Sequence, residues 1–221
     1  MRWFFILFSI FLATSANSAS FDCTKASTEI EHAICSDKNL SFWDEQMANA
    51  YRQIPKGSRY FEAVREAQRA WLKNDRVADR YVFEQQTYYL RAMATLASCL
   101  TGDIDSSVCP ARSDETLDKC MAAGNYTTVA MNTCGSASAK AWDLVLDVET
   151  VIKFETLSSD PETQILFQSA AKVFDNYREA ECGWRYSEYR DGTIRGQIFI
   201  GCYQSLTERR VVSLFGDNQL Y

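Results

Sequence analysis

Apolar side chains recur at steps of three and four residues over much of the first half of the chain, which is the spacing of one face of an α-helix. A capping-box sequence, Thr28-Glu29-Ile30-Glu31, opens a short helix that ends near Cys35. Pro55-Lys56-Gly57 ends the next helix, whose apolar face is formed by Leu40, Trp43, Met47, Ala50, Tyr51 and Ile54. A further helix begins near Phe61 and continues, with a break, through Tyr81–Cys99.

The second half of the chain has the same period. Asp160-Pro161 is a helix start with proline in the first turn. It precedes apolar residues at helical spacing, namely Leu166, Phe167, Ala170, Phe174 and Tyr177. Only Gln197–Ile200 has a strand-like composition, and we expect it to be helical as well. The pattern therefore predicts an all-α protein.

The two halves also repeat each other. The aligned residues are Cys35 with Cys134 and Trp43-Asp44 with Trp142-Asp143 at an offset of 99, and Trp71 with Phe174 at an offset of 103. Only short length changes are needed, as expected where loops absorb insertions. We therefore expect two tandem disulfide-stabilised units of helical hairpins or small bundles, at residues 20–109 and 110–221.

The N-terminal segment has the composition of an export signal. Arg2 precedes the apolar run Trp3–Ala13, which is too short to span a bilayer comfortably, and small residues follow at Ala16–Ala19. No cysteine directly follows these small residues, so a lipid anchor is not expected. We predict that residues 1–19 are a signal peptide and that the mature chain begins near Ser20, in the periplasm or secreted, without stable membrane insertion. The alternative is an uncleaved membrane anchor.

All eight cysteines follow the predicted signal: Cys23, Cys35, Cys99, Cys109, Cys120, Cys134, Cys182 and Cys202. An even count in an exported chain indicates disulfides. Zinc is disfavoured because there is no C-x-x-C and because His32 is the only histidine. Cys23–Cys35 and Cys120–Cys134 occupy matching places in the repeat. Unit one lacks the counterparts of Cys182 and Cys202 together with the segment between them, and this joint absence predicts a Cys182–Cys202 bridge. The two remaining cysteines are expected to pair as Cys99–Cys109.

The net charge restricts the class of partner. Removing residues 1–19 takes away one Arg and no acid, so 22 Lys and Arg remain against 29 Asp and Glu, a net charge of −7. An acidic balance argues against nucleic acid, whose phosphates require basic side chains. It is compatible with a cationic partner, although acidic surfaces also simply keep proteins soluble.

An ordered set of residues runs through both units. Unit one carries Cys23, Glu31, Ile34-Cys35, Leu40, Asp44, Tyr51, Gln68 and Trp71, and unit two carries Cys120, Cys134, Asp143, Tyr177–Cys182, Cys202, Leu206-Thr207, Arg210 and Leu214. This order resembles that of the lysozyme inhibitor LprI family of small secreted or periplasmic helical domains, over nearly all of the mature chain. Two departures stand out. Unit one has Asp75-Arg76 where the family has Arg-Asp, and unit two has Ala171 and Phe174 in place of the Gln-Trp pair.

The resemblance implies a binding protein that occludes a cell-wall hydrolase or related partner, such as a lysozyme-type muramidase. Lysozymes are commonly cationic, so a net charge of −7 would favour encounter. The competing interpretation is a non-inhibitory envelope interaction or scaffold module, or an immunity-type protein, with another partner.

Little in the sequence points to catalysis. His32 lies beside Glu29 and Glu31 with no second ligand evident, and we expect it at the surface. The pair Glu179 and Glu181 is expected to be solvated charge on a helix face. No Ser-His-Asp order, P-loop or Gly-rich nucleotide turn is present. We therefore expect no enzymatic activity and no cofactor or metal.

The candidate partner-binding residues lie between Cys182 and Cys202. They are Tyr186, Tyr189, Arg190, Asp191 and Arg195, on or beside a predicted loop from Arg190 to Gly196. Tyrosine and arginine supply much of the binding energy at interfaces, and the glycines of the loop permit unusual backbone shapes. The alternatives are a solvent-exposed loop with no partner, or an interface on the acidic face of unit one around Glu29 and Glu31.

Overall fold

The computed structural model describes residues 19–101 and 109–219, with side chains described over 19–100 and 114–215. Within these ranges the regular structure is a short 3-10 helix at Cys23–Lys25 and eight α-helices. The α-helices are α1 (Glu29–Ser36), α2 (Lys38–Arg52), α3 (Phe61–Asn74), α4 (Arg80–Thr101), α5 (Cys109–Ala123), α6 (Thr128–Thr156), α7 (Pro161–Glu188) and α8 (Arg195–Gln219). The all-α prediction is confirmed, and Gln197–Ile200 lies within α8.

Local sequence signals account for several helix ends. The capping box is present, because the Thr28 hydroxyl accepts from Glu31 N at 3.3 Å and the Glu31 carboxylate accepts from Thr28 N at 3.0 Å. Asp37 caps α2 by accepting from the N–H of Asn39 at 2.7 Å. Asp160 caps α7, whose first residue is Pro161. The break expected after Trp71 is the connection between α3 and α4.

The tandem disulfides confirm the repeat. Cys23–Cys35 fastens the N-terminal 3-10 helix to α1, Cys120–Cys134 joins α5 to α6, and Cys182–Cys202 joins α7 to α8. The predicted Cys99–Cys109 bridge involves a Cys109 side chain outside the described residues and stays a prediction. In this arrangement α2, α3 and α4 of unit one correspond to α6, α7 and α8 of unit two.

One hydrophobic core runs through both units. The helix α4 packs against α2 of its own unit and against α6 of the other. Buried side chains from both halves join it, including Ile34, Val64, Phe83, Leu96, Trp142 and Leu214. Glu149 of α6, fully buried, accepts from the Tyr60 hydroxyl and, at 3.3 Å, from Arg59 Nη1. The two units are therefore packed together, and the boundary at residue 109 stays a prediction.

Each unit contains a matching aspartate–arginine ion pair, which is buried at Asp44 and partly exposed at Asp143. The Asp44 carboxylate, 1% exposed, accepts from Arg76 Nη2 at 3.3 Å, and Asp143 accepts from Arg178 Nη1 at 2.6 Å. The carboxylates occupy matching places on α2 and α6. Unit one thus keeps the pairing through Arg76, although its Asp-Arg order is the reverse of the family pattern.

A helix that crosses a bilayer must be both long and apolar. No helix in residues 19–101 or 109–219 is both long and apolar enough to cross a bilayer.

Candidate functional site

The α7–α8 hairpin extends beyond the part of unit two that unit one matches. The helix α7 has 28 residues and its counterpart α3 has 14, a difference of about 21 Å at 1.5 Å per residue. No side chain from 183 to 201 is buried. One flank of the hairpin packs closely on α6: a Cβ atom added at Gly135 of α6 would lie 3.0 Å from the Ile200 side chain of α8. The end of the hairpin is therefore surface that the shared core does not require.

A disulfide and a buried arginine hold the base of this hairpin. Cys182 is fully buried and its Cα lies 5.6 Å from that of Cys202. One turn earlier, the Arg178 guanidinium joins three helices through Asp143 of α6, Asp175 of α7 and the Thr207 hydroxyl of α8. Burial raises the pKa of Asp143, and the Arg178 charge offsets part of that effect. These contacts fix the direction of α7 against α6 and α8.

The connection between the helices, residues 189–194, is a tight turn that its own arginines help to hold. Arg190 Nε donates to the Ser187 carbonyl at 3.2 Å, near the C-terminus of α7, where positive charge is favoured. Arg195 Nη1 donates to the Arg190 carbonyl at 3.2 Å. The Gly192 N–H donates to the Tyr189 carbonyl at 3.0 Å. The turn is thus ordered before any partner binds.

Two details of the predicted loop were wrong. Arg195 and Gly196 belong to the first turn of α8, so the loop is shorter than the Arg190–Gly196 segment expected from the sequence. Among the described glycines none has a positive φ, so Gly192 and Gly196 adopt conformations open to other residues. The sequence shows glycines but not their dihedral angles, and helical contacts with α7 and α6 extend α8 through this stretch.

The five predicted partner-binding residues do lie together at the end of the hairpin. Tyr186 and Tyr189 are 37% and 44% exposed, and Arg190, Asp191 and Arg195 are exposed. The Arg195 guanidinium lies 5.2 Å from the centre of the Tyr186 ring, and Tyr186 meets Phe199 edge to face at 6.3 Å. The arrangement is an exposed aromatic and basic surface on a rigid support.

Apolar and basic surface beside the tip was missed in the sequence analysis. Trp184 is 56% exposed. On one side of the hairpin an apolar groove of about 380 Å³ is lined by Gly183, Tyr186, Gly196, Phe199 and Ile200. On the other side a cleft of about 440 Å³ includes Tyr177, Arg185 and Arg209. The helical period of α7 was visible, but only the packing shows which of its faces stays exposed.

The residues that the structure describes, 19–101 and 109–219, form no cluster of three or more potential metal ligands. His32 is exposed on α1, and Glu181 is ion-paired with Arg185 at 2.9 Å. The exposed Tyr and Arg side chains of the hairpin are of the types that contribute most at binding interfaces.

A family model described as "Lysozyme inhibitor LprI" matches the chain twice, at residues 22–102 and 120–214. The two matches cover most of the chain and coincide with the two halves of the repeat. No curated protein and no solved structure matches it.

Proposed function

The chain belongs to the LprI lysozyme inhibitor family, and we propose that it is exported and binds a lysozyme-type muramidase, whose cleft it occludes with the tip of the α7–α8 hairpin. The hairpin tip is defined as residues 184–195. The observation that carries the proposal is this tip: it is ordered, exposed, rich in Tyr and Arg, and longer than anything in unit one. Because unit one keeps the fold without such a tip, the tip of unit two is free to serve in binding.

Preorganisation supports a role in inhibition. Association costs side-chain and loop ordering, and a segment that is already fixed avoids part of that cost. Here the Cys182–Cys202 disulfide, the two arginine contacts to backbone carbonyls and the Tyr186–Phe199 contact all restrain the tip. Exposed Tyr and Trp side chains add large contact area at low entropic cost.

The distribution of charge supports the same partner. The mature chain carries about −7 overall by its composition, which would speed encounter with a cationic enzyme. The tip has the opposite sign, with Arg185, Arg190 and Arg195 against Glu188 and Asp191, a net charge of +1. Glycosidases of the lysozyme type act through a pair of carboxylates. A basic tip would complement the carboxylates inside such a cleft. The acidic remainder of the protein would attract the cationic enzyme over longer distances.

Point variants at the tip test the proposal, because unit one offers matched controls. Tyr189→Ala and Arg190→Glu change exposed tip residues. Tyr81→Ala and Arg80→Glu make the same changes at the start of α4, where Tyr81 is 57% exposed. We expect the tip variants to weaken muramidase binding at least tenfold, about 1.4 kcal/mol. Thermal unfolding should be unchanged in Tyr189→Ala and slightly lowered in Arg190→Glu, which loses the hydrogen bond to the Ser187 carbonyl. The controls should bind like the wild-type chain.

The competing class gives a different outcome. An envelope scaffold or immunity-type protein would leave muramidase activity unchanged at micromolar concentrations. Equal effects of the tip and control variants would instead move the interface away from the hairpin, for example to the acidic face around Glu29. Glu31 is less suited to that role, because its carboxylate already accepts three hydrogen bonds from Ser27 and Thr28.

Removal of the signal peptide on export would also create a charged N-terminus at Ser20. The Ser20 backbone N lies 2.8 Å from Asp44 Oδ2, and its hydroxyl lies 2.6 Å from the same oxygen. Cleavage before Ser20 would turn that N–H into an ammonium group beside a buried carboxylate, which strengthens the hydrogen bond. The expected intact mass is therefore that of a chain starting at Ser20, and a retained Met1 would contradict the export proposal.

A further inference from the structure

The helix α7 carries apolar residues on two separate faces, about 120° apart around the helix. The inner face, with Phe167, Ala171, Phe174 and Cys182, packs toward the core and α8. The second face, here called the outer seam, consists of Leu166, Ala170, Val173, Tyr177, Ala180 and Trp184, and all six residues are exposed. Leu166 and Val173 are each 64% exposed, Trp184 56% and Tyr177 49%. An amphipathic surface helix would carry polar residues on its outer side.

The outer seam has the spacing of a helix–helix contact. Its successive steps along the chain are four, three, four, three and four residues, the alternation that places side chains on one stripe facing a partner helix. At 100° per residue the stripe points away from Cys182 and Arg178, which face α8 and α6. It is about 27 Å long. Exposed apolar surface of this extent marks an interaction site.

We propose that the outer seam pairs with the outer seam of a second copy of this chain, as an antiparallel two-fold dimer. A two-fold interface must be self-complementary, and the seam has this property about an axis level with residue 175. Under that symmetry Leu166 meets Trp184, Ala170 meets Ala180 and Val173 meets Tyr177 of the other copy. Two alanine pairs let the helices approach closely, since interaxial distance depends on the side chains at the contact.

The charges beside the seam affect its strength. The positions immediately along one edge are uncharged, namely Ser169, Asn176 and Gly183. Lys172 and Glu179 lie about 120–140° around the helix from the seam, outside the contact. At each end of the seam the two-fold places Glu162 of one copy level with Glu188 of the other. These like charges repel each other, so added salt should screen them and strengthen the dimer.

The area of the seam sets the expected strength. Four large side chains and two alanines would bury on the order of 1,000 Å² between two copies, which is at the lower end of specific interfaces. We therefore expect a dimer that forms at tens of micromolar, roughly, and dissociates on dilution. The contact covers Trp184, the first residue of the hairpin tip, and leaves the turn at residues 189–194 outside the paired segment.

Sedimentation velocity over roughly 1 to 200 µM tests the proposal with a matched pair of variants. Val173→Glu places a charge in the seam, and Val151→Glu makes the same change at an exposed valine of α6, 55% exposed. We expect the wild-type chain and Val151→Glu to approach the dimer mass together. Val173→Glu should dimerise at least tenfold more weakly, with unchanged helicity. A chain that stays monomeric throughout would overturn the proposal.

Cysteine cross-linking tests the register and direction. Ala170→Cys and Ala180→Cys, mixed and oxidised, should form a disulfide between the two variants, while either variant alone should not. Cross-linking of Ala170→Cys to itself would overturn the antiparallel arrangement. A monomeric wild-type chain whose muramidase binding falls with Val173→Glu would also overturn the dimer and would assign the seam to that enzyme.

Discussion

The repeated ion pair allows one unit to serve as the control for the other. Asp44 on α2 and Asp143 on α6 occupy matching places, and each accepts a hydrogen bond from an arginine, Arg76 or Arg178. We predict that Asp44→Ala destabilises the fold far more than Asp143→Ala, although the sequence gives the two aspartates the same role.

The environment of each carboxylate gives the magnitude. Asp44 is 1% exposed and also accepts twice from Ser20, and Arg76 is 15% exposed. Removing one partner of a buried pair costs about 3–5 kcal/mol, and the partial exposure of Arg76 places Asp44→Ala near the lower value, about 3 kcal/mol. The loss has two sources: the hydrogen bonds to the carboxylate, and an arginine left without its counter-charge.

The Asp143 side chain is 37% exposed, and its removal leaves Arg178 with hydrogen bonds to Asp175 and Thr207. Burial already raises the pKa of Asp143, so its charged form is less favoured in the fold and its removal relieves that penalty. We expect Asp143→Ala to cost about 1 kcal/mol, as for a typical hydrogen bond.

Thermal unfolding monitored by circular dichroism measures both losses on the same oxidised protein. For a chain of this size about 1 kcal/mol corresponds to roughly 2–4 °C in Tm. Asp44→Ala should therefore unfold about 6–12 °C below the wild-type chain and Asp143→Ala about 2–4 °C below it. Equal losses, or a larger loss at Asp143, would refute the reasoning from burial.

Three further predictions concern other parts of the fold. Non-reducing peptide mapping should join Cys99 to Cys109, and a different partner for Cys99 would contradict the local pairing. Backbone N–H groups at the start of α1 lower the pKa of Glu31 to about 2, so its stabilising effect should be complete above about pH 4.5 and lost as the pH falls toward 2; in Glu31→Gln this dependence should be absent from NMR-monitored local unfolding. Tyr60→Phe leaves the buried Glu149 without its hydroxyl donor and should cost about 1–3 kcal/mol in thermal unfolding, whereas no loss would show that Arg59 suffices.

The helices and three of the disulfides could be predicted because their signals are local or repeated. The capping box at Thr28–Glu31 and the Asp160-Pro161 start each specify a helix end within one turn. The pairing of Cys182 with Cys202 followed from comparing two copies of one unit, which supplied information that a single copy lacks.

The outer seam and the shared core could not be predicted in the same way. Leu166 and Phe167 are adjacent and both apolar, yet Leu166 is exposed and Phe167 packs against the core. The period alone does not decide which of two apolar faces a helix buries. The partners of Glu149 lie about 90 positions away in sequence, so their contact depends on how the two units pack.

Steady-state kinetics of a lysozyme-type muramidase on a soluble oligosaccharide, with the oxidised protein titrated in, test the central claim most directly. Occlusion of the cleft predicts that the apparent KM rises with protein concentration while kcat stays constant, because substrate and hairpin tip compete for one site. The rise should be at least tenfold weaker with Arg190→Glu and unchanged with Arg80→Glu. A constant KM at micromolar protein, or a fall in kcat with KM unchanged, would contradict occlusion by the hairpin tip.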